Sequence, residues 1–147
     1  LLAQQAWAQC GSDLDQWHMR LHATPDAGAS IWPAPQHAPG FEPHASGCAT
    51  IVRQSLECFA AIMPDGLLAW LQAERSALER VSGLPLAMTG LAACALHELG
   101  MSPPQGEMLF LLLRLPGAAA HALEQGQSGF RSFPFYTVEV EAGEVAA

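Results

Sequence analysis

GLPLAMTGLAACALHELGMSPPQGEMLFLLLRLPGAAAHALEQ, residues 83–125, decides the class of this protein. Gly83-Leu84-Pro85 ends whatever precedes it, because a glycine followed by X-Pro breaks a helix. An apolar helix is then expected over 87–99, closed by Gly100 as a C-terminal glycine. Pro103 and Pro104 open a second helical region that runs to about Gln125. Pro116-Gly117 should kink or divide it, since proline removes a donor and crowds the preceding turn. Two apolar helical segments joined by a short glycine-proline link leave no room for a strand.

Upstream the same pattern holds. Thr50 to about Met63 reads as a helix with Ile51, Leu56, Phe59, Ala60 and Met63 on its apolar face. Pro64-Asp65-Gly66 is a turn, and Asp65 is placed to cap a helix over about 66–81. There Leu67, Leu68, Leu71 and Leu78 share a side, and Arg75 and Glu79 form an i,i+4 pair. Residues 2–9 and 12–23 read as two short helices broken near Gly11, with Ser12 or Asp13 as cap. Between them and Thr50 lies a Pro- and Gly-rich stretch, 24–47, with Trp32, Phe41 and two histidines. A connection this long is functional or disordered, and its aromatic content favours the first. After Gly126 the chain turns extended, and Thr137–Glu141 alternates as a short strand or arm. The expected class is all-α with an extended C-terminal arm.

Composition narrows the function. The 147 residues are 50% hydrophobic and only 14% charged, with a net charge of −8. All six basic residues are arginines, which argues against a nucleic-acid surface. The longest apolar run, Met108–Leu113, is too short to span a bilayer. No basic region followed by an apolar stretch marks a secretory signal at the start. Cys10, Cys48, Cys58 and Cys94 show no CxxC spacing and lie in apolar contexts. They read as buried thiols of a reducing, cytoplasmic compartment. So high an apolar fraction also predicts exposed patches and self-association.

Standard site motifs are sparse. His18 and His22 lie i,i+4 on one helix face, the spacing a zinc site uses, but HExxH is absent and two boundary histidines are the simpler reading. There is no GxSxG elbow and no Gly-rich phosphate loop.

The ordered series is more specific. Gly83-Leu84-Pro85, the apolar helix ending Leu99-Gly100, Phe110 to Arg114 with Gly117, and Ala120-His121 with Glu124-Gln125 follow one another. This series resembles the C-terminal part of the citrate synthase superfamily, which includes citryl-CoA lyases. The resemblance covers about 83–125 well and 39–53 more loosely. It implies an intertwined all-α dimer, with residues 1–80 mostly small domain and 81–147 a return segment of the large domain plus the arm. It also implies a longer parent chain with an upstream half. The partners it implies are a small carboxylate and an acyl-CoA, with coenzyme A thioester as substrate and no tightly bound cofactor.

The resemblance carries roles onto matching positions. Gly40-Phe41 precedes His44, and Arg53 stands nine residues beyond it, as a catalytic histidine and a carboxylate-gripping arginine would, although the gap from Gly-Phe to histidine is one residue longer than usual. Arg114 matches a second carboxylate-binding arginine; alone amid leucines, it is expected to be buried with a partner. Two positions depart from the family. Counting four from Pro85, Thr89 stands where the family has its catalytic Asp. A hydroxyl is a poor base for the α-proton of an acyl-CoA. Near the tail, Phe133-Pro134-Phe135-Tyr136 replaces an Arg-Pro-Arg element, leaving Arg131 as a substitute two residues earlier. The expectation is carbon–carbon bond formation or cleavage between acetyl-CoA and a keto acid such as oxaloacetate, altered by Thr89. A catalytically inactive CoA- or dicarboxylate-binding protein, or a plain helical interaction module, stands as the alternative.

Overall fold

The computed structural model describes residues 2–22 and 37–128. They form six helices: α1 (Leu2–Cys10), α2 (Leu14–His22), α3 (Thr50–Ile62), α4 (Leu67–Ser82), α5 (Met88–Glu98) and α6 (Pro103–Ser128). Among the described residues there is no strand, only an isolated antiparallel bridge between Phe41 and Leu86. The expected all-α class is observed. The C-terminal arm, including Arg131 and Thr137–Glu141, lies outside the described residues, as does most of the 24–47 stretch. The chain divides into two compact units, Leu1–Phe110 and Leu111–Ala147.

In the first unit, α5 is the helix around which the others gather. It packs on α1, α3 and α4, and α2 closes on α1 and α4. Its small residues let this happen: Gly90, Leu91, Ala93, Cys94 and Leu96 are buried, so a broad side of the helix is removed from water. Leu56, Leu71, Leu78 and Leu91 fill the centre. Trp7 joins the ends, meeting Trp17 edge-on at 4.8 Å and Trp70 at 6.0 Å between ring centroids. Both geometries are the edge-to-face contacts that aromatic quadrupoles favour. The Trp17 indole N–H donates to Gly11 O at 3.0 Å, so its polar edge is satisfied inside the core.

Local signals account for most helix ends. Asp13 caps α2, accepting from the amides of Asp15 at 2.9 Å and Gln16 at 3.1 Å. At the end of α5, Gly100 takes φ +78°, its amide donates to His97 O and that of Met101 to Leu96 O. The expected C-terminal glycine is observed, and these two bonds close the helix as a Schellman motif. Gly83, at φ +69°, ends α4 in the same left-handed conformation.

Four expectations need correction. The buried face of α3 is Val52, Leu56 and Ala60, while Ile51 and Phe59 are exposed. Spacing of four residues selects that face, and Ile51 and Phe59 each precede a member of it by one position, about 100° away. Asp65 does not cap α4. Its N-cap is Gly66 without a side-chain bond, and Glu98 serves instead from the end of α5. Cys58 is exposed, not buried. Pro116 does not divide α6, which runs through it; one lost donor in a long helix is a cost the neighbouring turns absorb. Residues 111–128 of α6 belong to the second unit, and there Leu111, Leu112, Leu113, Leu115 and Leu123 are exposed.

Candidate functional site

The lead-in to α5 is where residues distant in sequence meet. Glu42 N donates to Pro85 O at 2.8 Å, and Ala87 N donates to Gly40 O at 3.0 Å. These bonds lay the short loop after residue 37 antiparallel to residues 85–87. Two glycines make the approach possible. Gly40 has φ +94°, and a Cβ there would stand 3.0 Å from Gly90 Cα. A Cβ on Gly90 would run into Gly40 O, so backbone packs directly on backbone.

His44 follows this bridge. It is exposed, and its amide donates to Glu42 Oε1 at 3.2 Å. Thr89 sits exposed in the first turn of α5, two residues past Ala87. The structure therefore places the loop that ends in His44 against the segment that leads into Thr89. Arg53 is exposed in the first turn of α3, where its Nη2 donates to Thr50 Oγ1 at 3.3 Å. The first turns of α3 and α5 contain no acidic residue. Arg53 thus has no carboxylate on its own turn, and the positive end of α5 is not offset locally.

Behind the bridge lies a polar cluster. Glu79 Oε1 accepts from Leu86 N at 2.9 Å, and Oε2 accepts from Arg75 Nη1 at 2.5 Å. The i,i+4 pair expected from sequence is formed, but its carboxylate also crosses to another segment. Cys48 is half-buried, and its thiol donates to Leu86 O at 3.6 Å. Burial first, then the charge of Glu79, push this thiol above its ordinary pKa, which favours its protonated form. Sequence reading missed the crossing bond of Glu79 and the placement of Cys48. Neither has a local signature, because both depend on how the 84–87 segment folds back.

The remaining site residues are placed elsewhere. Arg114 is exposed on α6, in the second unit, and the expectation of a buried guanidinium is corrected. A long side chain on a solvated face keeps its charged head in water and needs no burial. Arg131 is outside the described residues. His18 and His22 are exposed on α2, and among the described residues no group of three or more metal-binding side chains comes together. Among the described residues no helix is long and apolar enough to cross a membrane.

Comparison with models of known protein families, with curated proteins and with solved structures gives no match.

Proposed function

We propose that this chain is the C-terminal portion of a citrate synthase-like, citryl-CoA lyase-like protein acting on a coenzyme A thioester and a small carboxylate. The observation that supports this is the bridge between Gly40-Phe41 and Leu86-Ala87. The sequence resemblance assigns the loop to His44 and the α5 lead-in to Thr89 as parts of one site, and the bridge joins those segments. In this reading His44 hydrogen-bonds the oxygen on which enolate charge develops. Arg53 grips a carboxylate of the keto acid through its planar fork. The resemblance assigns carboxylate binding to Arg114 and Arg131 as well. Thr89 holds the place of the base without being able to act as one near neutral pH. Lyase or other altered chemistry follows more readily than citrate synthesis. A cytoplasmic homodimer belongs to the same reading.

The Thr89 position also favours a second reading, a pseudoenzyme that binds CoA or a dicarboxylate without turnover. One experiment separates the two. Citryl-CoA, and separately acetyl-CoA with oxaloacetate, are supplied to the unmodified protein and to Thr89→Asp, and free CoA and citryl-CoA are followed by mass spectrometry. Turnover by the unmodified protein is the result expected of an enzyme. Ligand binding without turnover, with activity gained in Thr89→Asp, selects the pseudoenzyme. Binding left unchanged by His44→Ala and Arg53→Ala would sink both.

A further inference from the structure

We infer that Glu79 is a positioning residue of this candidate site: one carboxylate that ties α4, the lead-in to α5 and the segment behind His44 into a single unit. The inference rests on the function proposed above for its ligand arm, and on geometry alone for the rest. Glu79 lies in the last turns of α4, one turn before Ser82. A negative charge near a helix C-terminus is disfavoured by the helix dipole, so helix stability does not explain a carboxylate there. What it does instead is reach out of the helix. Its two oxygens are divided between Arg75 on the same helix and the amide of Leu86 beyond the turn. The side chains of the pair are only 25% and 19% exposed, so the bond to Leu86 is sheltered from water.

Leu86 is the residue this bond must hold. It is buried, it forms the bridge to Phe41, and it stands three positions before Thr89. Its carbonyl accepts from Cys48 at 3.6 Å, and the charge of Glu79 acts on that same thiol. Ser82 braces the same turn from the α4 side, its Oγ bonding Leu84 O at 2.9 Å and Leu84 N at 3.2 Å. Loss of the carboxylate releases Leu86 N, and with it the residue whose carbonyl Cys48 bonds, and removes the charge that acts on the thiol. Both borders of the site, the loop ending in His44 and the turn entering Thr89, then lose a shared anchor while the core contacts of α5 remain.

The test uses Glu79→Ala and Glu79→Gln in the 147-residue chain. Amide exchange at Leu86 and Ala87 is measured, together with alkylation of Cys48 by iodoacetamide and binding of acetyl-CoA and oxaloacetate. Glu79→Ala is expected to speed exchange at Leu86 and alkylation of Cys48 by roughly tenfold, with Leu91 and Cys94 amides still protected. Glu79→Gln keeps an oxygen acceptor, so it is expected to restore Leu86 protection. It removes the charge, so Cys48 alkylation stays fast. Oxaloacetate binding is expected to fall roughly tenfold in Glu79→Ala and to recover in Glu79→Gln. Unchanged exchange at Leu86 in Glu79→Ala would overturn the inference while leaving the site reading intact. So would a uniform rise across the amides of α5, which would make Glu79 an ordinary stabilising residue. If the unmodified chain binds neither ligand, the site reading falls and the role of Glu79 in it falls too, whatever the exchange shows.

Discussion

At the scale of single residues, the thiols report how burial and charge combine. Cys94 is fully buried in α5. Burial first, then the charge of Glu98, push its pKa far above the ordinary thiol value, and Cys10 and Cys48 are shifted the same way. A raised folded-state value means that the folded chain holds its proton where the unfolded chain has lost it. Stability from these groups is therefore complete below the ordinary thiol pKa of about 8.5 and falls as pH rises beyond it. The slope from Cys94 alone approaches about 1.4 kcal/mol per pH unit. Urea unfolding between pH 6 and 10 should be flat up to about pH 8 and then decline. Cys94→Ala should lose much of that decline while lowering stability at neutral pH, and an unaltered slope would show that another group carries it. The thiols also mark what a sequence conveys at this scale. Apolar neighbours, Ala93 and Ala95, foretell burial for Cys94. The same cue fails for Cys58, which stands two positions from both Leu56 and Ala60 and so faces roughly 200° away from the buried side of α3.

At the scale of elements, caps made within a few residues are legible and caps made across the fold are not. Asp13 and Gly100 act on amides and carbonyls within five positions, and sequence finds both. The cap of α4 comes from Glu98, 31 positions from Leu67, whose amide it accepts at 2.9 Å, with that of Leu68 at 3.0 Å. Asp65 has the right residue type in the right place, but the Glu98 carboxylate reaches the same amides from α5 and sits where a Cβ on residue 66 would be. Gly66 and Glu98 thus form one device that fastens the start of α4 to the end of α5. Glu98→Ala removes two charge-assisted bonds from a helix N-terminus and should cost about 1–2 kcal/mol. Glu98→Gln, which keeps one acceptor oxygen, should cost less. Chemical denaturation of the two variants checks the order, and equal losses would mean that packing of the side chain, not its capping bonds, carries the effect. The candidate site obeys the same rule. Helix positions around Thr89 are read locally, but the Gly40–Gly90 approach is a tertiary contact, and only the resemblance suggested that the two segments belong together.

At the scale of the whole molecule, the first unit has a buried leucine core, whereas the described leucines of the second are exposed. Leu56, Leu71, Leu78 and Leu91 are buried by neighbouring helices, whereas Leu111, Leu112, Leu113, Leu115 and Leu123 are exposed on α6. Several exposed leucines close together on one helix mark an interaction surface, because contiguous apolar area of this kind is poorly tolerated by a dispersed monomer. The same reasoning, applied to composition alone, predicts self-association, and the exposed leucines give it a location. Sedimentation of the chain at tens of micromolar should show species larger than a monomer, with binding of an apolar dye that fades as the species form. Leu111 and Leu115 are one helical turn apart and share a face. Replacing both by Glu puts two charges on it and should shift sedimentation toward the monomer. Helicity and the urea midpoint of the first unit should be unchanged, since neither residue belongs to its core. A single monodisperse monomer for the unmodified chain would show that surface within the chain covers these leucines, and the double variant would then lower the urea midpoint instead of the sedimentation coefficient.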